Sequence, residues 1–312
     1  MRSLAASYFP RYIKNEMLRQ LDAEPTIESP DHLVATYGVA TNELEHKYMQ
    51  QDCLGEGGFG SVYAGYRRDD LLPVAIKHIP KNNVKHITVI VDGEQKEFPL
   101  EVVLLAMAGE VEAVAGETRR VSVALLDWYE LQEELVIVME RPVPSMDLFH
   151  YIQDSGGHLQ EEEAKVILRQ LVEALVSLLS KGVLHQDIKP ENILVHTDPE
   201  GLRIRILDFG VGSILREGHT SFYGLAECTP PECCLQAFPQ AEPSIVWQIG
   251  VVLYIMLHGE RPFSNTWEMM TKDPYIRDQL SQDCEDLLRS CLDKRSRSRP
   301  SLRDILQHPW LK

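Results

Sequence analysis

The stretch Val183–Leu194, which reads VLHQDIKPENIL, places the polar residues Asp187, Lys189 and Asn192 among apolar ones. A carboxylate at the first position can accept a proton from a hydroxyl group. A lysine beside it can offset phosphate charge, and a carboxamide oxygen can ligate magnesium. The spacing therefore indicates phosphoryl transfer, although H-x-D-x-x-x-x-N is a modest signal when it stands alone.

Further motifs flank this stretch on both sides. A glycine-rich turn begins at Leu54, a V-A-I-K sequence ends at Lys77, and D-F-G occupies Asp208–Gly210. Each motif by itself can occur by chance. All of them in this order point to one nucleotide-dependent phosphotransfer site.

The glycine-rich turn reads LGEGGFGSV from Leu54 to Val62. In a dinucleotide-binding fold the same G-x-G-x-x-G pattern leads from a strand into a helix. Here the β-forming residues Ser61, Val62 and Tyr63 follow the glycines, so a strand, a turn and a second strand are predicted. Glycines allow the backbone to approach phosphates closely, and Phe59 at the tip is placed to fold over them.

The V-A-I-K sequence predicts a strand whose faces alternate. Val74 and Ile76 lie on one face, whereas Ala75 and Lys77 share the other. Ala75 is small enough to lie beneath an adenine ring. The alternative for Lys77 is an exposed strand lysine without a ligand.

A helix is predicted at Phe98–Ala108, after a polar loop at Lys81–Glu97. Glu101, near the start of this helix, is the natural partner of Lys77, because their ion pair would orient the amine toward phosphates. The alternative for Glu101 is a solvated glutamate that the helix dipole stabilises.

The prolines of Glu140–Pro144 predict a stiff linker, and we place a boundary between two lobes there. The resulting division is a partly disordered leader at 1–47, an N-lobe at 48–140 and a C-lobe at 141–312. Strands are predicted at Ser122–Asp127, Leu135–Met139 and Arg203–Leu207. Helices are predicted near Asp147 and at Gln160–Leu179 and Ile245–Gly259, and a final helix ends in His308–Trp310.

The 312-residue chain is acidic, with a formal net charge of −16. This charge argues against a nucleic-acid partner, which requires a basic surface. Long-range attraction would instead concentrate basic peptides near the protein. An acidic surface that merely aids solubility explains the same charge.

The six cysteines, without an apolar leader, favour reduced thiols over a disulfide framework. Cys228, Cys233 and Cys234 are close in sequence, but no partner pair at zinc spacing accompanies them. The apolar stretch Ile245–Leu257 is shorter than the roughly 20 residues of a membrane span, so a buried helix is predicted. We expect a cytoplasmic protein, with the nucleus as a second location, no membrane partner and a monomeric state.

From about residue 48 onward, the motifs resemble those of eukaryotic protein kinases, and several are similar to the Pim serine/threonine kinases. The similar segments are L-G-x-G-G-F-G-S-V-Y-x-G, E-V-V-L-L, M-E-R-P-x-P-x-x-D-L-F, L-H-x-D-I-K-x-E-N-I-L and T-P-P-E. The resemblance implies an α+β fold of two lobes, a small β-rich N-lobe and a larger, mostly helical C-lobe, with ATP in the cleft. It also implies transfer of the γ-phosphoryl group of MgATP to Ser or Thr hydroxyls.

The resemblance assigns roles to individual residues. Asp187 matches the catalytic base and Lys189 the lysine that steadies the phosphate, while Lys77 and Glu101 match the ATP-positioning ion pair. Asn192 and Asp208 match the Mg²⁺ ligands. The positions that match ATP contacts are Leu54, Gly55, Glu56, Gly57, Gly58, Phe59, Gly60, Ser61, Val62, Ala75, Lys77, Met139, Glu140, Asp147, Glu191 and Leu194.

Other matched positions concern adenine, substrate and stability. The Glu140 carbonyl is expected to accept a hydrogen bond from adenine, whereas Pro142 has no N–H for the usual second bond. Asp147 and Glu191 match positions that also meet basic substrate side chains. Arg299 matches the buried partner of Glu232.

The chain departs from the kinase pattern at Gln186, Leu225, Ile245 and His150. Gln186 replaces an arginine that normally pairs with a phosphorylated activation loop, and a glutamine cannot form that charge-assisted pair. We therefore predict activity that does not depend on phosphorylation of Thr220, Ser221 or Tyr223.

Two other readings of the sequence stay open. The first is a pseudokinase-like module that binds ATP and signals by interaction, which the departures at Gln186, Leu225 and Ile245 support. The second is a dinucleotide-dependent enzyme, which has only the glycine turn in its favour and conflicts with V-A-I-K.

Overall fold

The computed structural model describes residues 43–91, 94–109, 112–114, 117–199, 201–215, 229–234 and 240–312. Most of the leader expected at 1–47 lies outside these residues, and its last part, 43–47, is helical. Tertiary contacts divide the chain into two units, one ending at Val143 and the other beginning at Pro144. The division falls within the proline-containing segment Glu140–Pro144.

The N-terminal unit is mostly β-structure, and a nine-residue helix follows its fifth strand. Its elements are β1 (Tyr48–Gly57), β2 (Gly60–Arg67), β3 (Pro73–Pro80), β4 (His86–Val91), β5 (Glu94–Pro99), α1 (Leu100–Ala108), β6 (Glu112–Val114), β7 (Glu117–Arg119), β8 (Leu125–Glu130) and β9 (Glu134–Glu140). Five strands form an antiparallel sheet in the order β1-β2-β3-β9-β8. The strand predicted at Ser122–Asp127 thus begins later, at Leu125.

Alternation along β3 and β9 decides which side chains lie on the buried face of the sheet. Val74 and Ile76 of β3 are buried in one cluster with Val136 and Val138 of β9. Successive side chains of a strand point to opposite faces, so the same alternation sends Ala75 and Lys77 to the other side, as the sequence predicted.

A hairpin of β4 and β5 replaces the loop that we predicted at Lys81–Glu97. The strands pair from His86 opposite Pro99 to Val91 opposite Glu94. The prediction was wrong because the charged residues of β5 obscured the β-branched run of β4. Phe98, which we placed in a helix, lies in β5 instead, because a following proline disfavours helical backbone, and α1 starts after Pro99.

The C-terminal unit is mostly helical, as expected. Its helices are α2 (Leu148–Asp154), α3 (Glu161–Ser180), α4 (Pro231–Cys234), α5 (Ala241–His258), α6 (Thr266–Thr271), α7 (Gln282–Cys291) and α8 (Leu302–Gln307), with 3₁₀ turns at Pro190–Asn192, Ser296–Ser298 and Pro309–Leu311. The predicted amphipathic helix at Gln160–Leu179 corresponds to α3. Its apolar stripe is buried, which explains the three-to-four spacing.

Helix α5 confirms the buried helix that we predicted for the apolar stretch. It is long and apolar enough to cross a membrane, but 83% of its residues are buried in the structure. It ends at Gly259, whose positive φ of 77° allows the chain to leave the helix. The core helix of a globular unit accounts for its composition.

Short strands hold the loops of the C-terminal unit in place. These strands are β10 (Ser145–Asp147), β11 (Val183–Leu184), β12 (Ile193–Asp198), β13 (Gly201–Ile206) and β14 (Ser213–Ile214). One small sheet has the order β10-β12-β13, and β11 pairs with β14. The segment 185–192 is therefore anchored at both ends by strands.

Candidate active site

In the N-terminal unit, Lys77 and Glu101 form the predicted ion pair. Lys77 lies on β3 and Glu101 in the first turn of α1, and the Nζ–Oε1 distance is 2.5 Å. The side chains are only 6% and 12% exposed, which rules out the exposed lysine and the solvated glutamate that the sequence left open. A buried amine held in one direction by a carboxylate is suited to binding an anionic group.

The glycine turn joins β1 and β2 and is a strand–turn–strand unit, as predicted. Gly60 has a φ of 143°, and an added β-carbon there would collide with the carbonyl oxygen of His78. A β-carbon added at Gly55, Gly57 or Gly58 would meet no other described atom within 4 Å. Packing within the unit therefore requires glycine at Gly60, whereas the other glycines leave open space where phosphates would fit.

The residues predicted to surround adenine lie on neighbouring strands. Ala75 is directly opposite Met139 in the β3–β9 register, and Val74 is opposite Glu140. The Glu140 amide donates to the carbonyl of Ala124 at 2.9 Å. The sheet therefore fixes the direction of the backbone at Met139 and Glu140.

In the C-terminal unit, Asp187 is held by the other polar residues of the 185–192 segment. Asn192 Nδ2 donates to Asp187 Oδ2 at 2.9 Å and to the Asp187 carbonyl at 2.8 Å. Lys189 Nζ lies 2.9 Å from the same Oδ2. Both contacts hold the buried Asp187 carboxylate in one orientation through Oδ2, and within the described residues Oδ1 accepts no hydrogen bond.

Asn192 and Asp208 lie at adjoining ends of the paired strands β12 and β13. Ile193 is opposite Ile206, and the Leu207 amide donates to the Asn192 carbonyl at 2.9 Å. Asn192 uses its side-chain N–H₂ on Asp187, which leaves Oδ1 as its acceptor. The backbone of Asp208 has a φ of 59°, and its Oδ1 accepts from the Gly210 amide at 3.1 Å.

These oxygen donors fit magnesium. Mg²⁺ is usually held by one or two carboxylates together with substrate phosphates and water. Within the described residues there is no group of three or more His, Cys, Asp and Glu side chains that could enclose a metal ion. A carboxylate and a carboxamide oxygen at adjoining strand ends suit an ion that a bound phosphate would help to hold.

His185, to which no motif assigned a role, joins Asp187 to the D-F-G segment. Its Nε2 lies 2.7 Å from the carbonyl oxygen of Leu207, and its Nδ1 accepts from the Asp187 amide at 3.3 Å. The ring packs edge-on against Phe209, with the centroids 4.9 Å apart. Burial lowers the pKa of His185, so the neutral ring donates through Nε2 and accepts through Nδ1.

Gln248 is a second residue that sequence reasoning missed. It lies in α5, is fully buried, and donates through Nε2 to the Gln186 carbonyl at 2.9 Å. Gln186 has a φ of 68°, in the left-handed region that residues other than glycine rarely adopt. Gln248 therefore supports a strained backbone immediately before Asp187. In the sequence, a glutamine inside an otherwise apolar helix could have indicated such a buried polar contact.

Asp147, Leu194 and Glu191 also come together. Asp147 pairs with Leu194 in the β10–β12 register, and Asp147 is the N-cap of α2. Its Oδ1 accepts from the His150 amide at 2.9 Å, and its Oδ2 lies 2.7 Å from His150 Nδ1. Glu191 is exposed on the 3₁₀ turn, so these two carboxylates lie on neighbouring elements of the same unit.

The family model described as Protein kinase domain matches residues 48–311. The chain belongs to the protein kinase family. This family uses ATP, typically with Mg²⁺, and acts on protein substrates.

The relatives of the kinase narrow this assignment. It is 39% identical to serine/threonine-protein kinase pim-2 of Danio rerio, over 87% of this chain and 88% of that protein. It is 35% identical to serine/threonine-protein kinase prk-2 of Caenorhabditis elegans, over 87% of this chain and 59% of that protein. A PAS domain-containing serine/threonine-protein kinase of Mus musculus is 31% identical over 93% of this chain and 20% of its own length. The protein is therefore a Pim-like serine/threonine kinase.

The kinase also contains the predicted buried ion pair of the C-terminal unit. Arg299 Nη2 lies 2.7 Å from Glu232 Oε2, and Nη1 lies 2.8 Å from Oε1, so the pair is bidentate. The guanidinium also donates to the carbonyls of Asp293 and Pro243 and lies 4.9 Å from the ring centroid of Trp247.

Some predicted positions of the kinase lie outside the described residues. These are Thr220, Ser221 and Tyr223 of the activation loop, together with Gly224, Leu225 and Cys228. Cys233 and Cys234 are described and are free thiols. Ile245 is buried in α5.

Proposed function

We propose that the kinase transfers the γ-phosphoryl group of MgATP to Ser and Thr hydroxyls in basic peptides, without needing phosphorylation of its activation loop. The arrangement at Asp187 carries this proposal. One carboxylate oxygen is fixed by Lys189 Nζ and Asn192 Nδ2, each at 2.9 Å. The other oxygen accepts no hydrogen bond from the described residues and is available to a substrate hydroxyl.

Each of the matched site residues has a defined part in this reaction. Asp187 accepts the proton of the Ser or Thr hydroxyl, and Lys189 offsets negative charge beside it. Lys77, held by Glu101, would bind phosphate oxygens, while Asn192 and Asp208 would hold the metal ion. When bound, MgATP supplies the phosphoryl group and the charge neutralisation that accompanies its transfer. Most of the protein's contribution is therefore positioning and electrostatic stabilisation.

The preference for basic peptides rests on charge near the site. Asp147 and Glu191 are carboxylates on neighbouring elements of the C-terminal unit. The net charge of −16 adds long-range attraction for cationic peptides. We expect selection for Arg or Lys on the N-terminal side of the target residue.

Independence from loop phosphorylation rests on Gln186. Its Nε2 donates to Ser213 Oγ, and its carbonyl accepts from Gln248. These neutral contacts do not require a phosphate, and a glutamine side chain cannot pair with one as an arginine does. The backbone before Asp187 is therefore supported without an activating charge.

A peptide-array phosphorylation profile tests the substrate proposal. We expect labelling of Ser and Thr peptides with upstream Arg or Lys, and weak labelling of matched peptides with Ala at those positions. Equal labelling of both sets would contradict the basic preference.

A second experiment tests whether activity is independent of loop phosphorylation. It uses dephosphorylated kinase that carries Thr220→Ala, Ser221→Ala and Tyr223→Phe. We expect kcat within about twofold of the untreated kinase, because no charged partner for a phosphate stands at Gln186. A rise of tenfold or more after loop phosphorylation would contradict it.

The proposal further includes a monomer in the cytoplasm or nucleus that binds neither nucleic acid nor membrane.

A further inference from the structure

Both carboxylate oxygens of Asp147 are engaged by a single residue, His150. The His150 amide donates to Oδ1 at 2.9 Å, and the ring nitrogen Nδ1 lies 2.7 Å from Oδ2. The first contact is a helix cap that fixes the carboxylate. The second places an imidazole on Oδ2, the oxygen that the helix cap does not use.

The surroundings of His150 favour its charged form. The pKa of His150 is raised by the hydrogen bond to Asp147, and Asp154 on the same helix adds to this. Helix α2 also packs against β10, β12 and the turn Pro190–Asn192. These elements contribute the titratable side chains Asp147, Glu191, His196 and Asp198; within the described residues, the His150 ring hydrogen-bonds to Asp147 alone.

The contact is exposed and can therefore be displaced. The side chains of His150 and Asp147 are 68% and 27% exposed. Exposed ion pairs are weak, because solvent screens them and side-chain entropy opposes them. A guanidinium brought in by a peptide can compete with the imidazole for the same oxygen.

We propose that His150 is a specificity-determining residue that competes with a basic substrate side chain for Asp147. This inference rests on the proposed preference for basic peptides and adds a dependence on pH. Protonated His150 offsets the negative charge of Asp147. Of the two carboxylates proposed to attract a basic side chain, Asp147 and Glu191, only Glu191 then keeps its full effect. As the pH rises and the ring loses its proton, Asp147 regains its full attraction for Arg, and the basic preference becomes stronger.

Peptide binding tests this without requiring catalysis. Two fluorescent peptides that differ only by Arg or Ala at the selected position are titrated by anisotropy, without nucleotide, between pH 6 and 8.5. The ratio of their Kd values cancels effects common to both peptides, and Arg does not titrate in this range. The kinase is compared with His150→Gln, a surface change that removes the titrating ring.

In the natural chain we expect the preference for the Arg peptide to grow about two- to fivefold between pH 6 and 8.5, the size expected of one exposed ion pair. In His150→Gln we expect a high preference that does not change with pH. An equal pH dependence in both proteins would overturn the inference and leave the basic preference intact. No preference in either protein at any pH would instead overturn the proposed function, and this inference with it.

The protonation of His150 provides a second readout. We expect NMR titration of its ring to show a lower pKa in Asp147→Asn than in the natural chain, because the carboxylate is what favours the charged ring. An unchanged titration would show that the two side chains do not interact in solution and would overturn the inference.

Discussion

Gln248 and Tyr254 both lie on α5, and each donates one hydrogen bond to a backbone carbonyl. Gln248 reaches the carbonyl of Gln186, directly before Asp187, at 2.9 Å. Tyr254 reaches the carbonyl of Tyr275 at 2.8 Å. Substitutions at Gln248 and Tyr254 would each remove one hydrogen bond of α5 to a backbone carbonyl. Only the bond of Gln248 supports the catalytic segment.

We predict that Gln248→Leu lowers kcat by roughly tenfold and leaves the KM for ATP unchanged. An unpaired buried carbonyl costs about 1–3 kcal/mol, and the left-handed backbone at Gln186 would relax and move Asp187. Steady-state kinetics measures the effect, with Tyr254→Phe as the matched control that keeps kcat. A kcat that falls equally in both variants would mean that Gln248 is only structural.

Lys77 provides a second prediction for a single residue. Lys77→Met is expected to abolish phosphoryl transfer while leaving the circular dichroism spectrum unchanged, because methionine fills a similar volume without the charge. Lys81→Met is the control: its ion pair with Glu130, at 3.3 Å, is partly exposed, and we expect full activity. Retained transfer in Lys77→Met would refute the role of the amine.

The sequence predicted the ion pair at Lys77 better than the roles of His185 and Gln248. Lys77 and Glu101 belong to motifs with fixed local spacing, and strand alternation decides where Lys77 points. The contacts of His185 and Gln248 depend on which segments meet in three dimensions. A buried glutamine signals a hydrogen bond but does not identify its acceptor.

Among the elements, the β4–β5 hairpin shows where local patterns mislead. The charged residues of Glu94–Pro99 resemble a loop, and only pairing with His86–Val91 makes them a strand. Tertiary pairing overrides intrinsic strand preference. By contrast, α3 and α5 were predicted within a few residues, because burial on one face or on all faces leaves a direct trace in the sequence.

The Glu232–Arg299 pair ties α4 to the segment before α8 and carries a prediction about stability. We expect Arg299→Leu to lower the free energy of unfolding by about 3–5 kcal/mol, because Glu232 would be left buried without its partner. Chemical denaturation measures this. Arg297→Leu, at an exposed position of the neighbouring 3₁₀ turn, is expected to change stability by less than about 0.5 kcal/mol. Similar losses in both variants would contradict the account.

Across the whole molecule, buried neutral histidines make stability depend on pH. Burial lowers the pKa of His185, His196 and His258 below the ordinary value of 6.5. His258 resembles His185: its Nδ1 lies 3.1 Å from the Tyr254 carbonyl, and its Nε2 accepts from the Arg277 amide at 3.3 Å. In His185 and His258, the nitrogen that accepts from a backbone amide must stay unprotonated.

We therefore predict a lower unfolding temperature as the pH falls from 7 to 5. Below about pH 6.5 the unfolded chain binds protons that the folded state excludes, so stability is complete above that pH and is lost below it. His150 has a raised pKa and opposes this trend, but its exposed pair contributes little. Calorimetry across this range, with His258→Asn as a variant expected to weaken the dependence, tests the prediction. An unfolding temperature that stays constant or rises on acidification would contradict it.

The central claim is that Asp187 acts as the base of an active serine/threonine kinase. Transfer of radiolabel from γ-labelled ATP to an arginine-rich peptide tests it most directly, in the natural chain and in Asp187→Asn. We predict clear transfer by the natural chain and a loss of about 10²–10⁴-fold in Asp187→Asn, with ATP binding kept in both. ATP binding without transfer by the natural chain, or equal transfer by the two proteins, would contradict the claim.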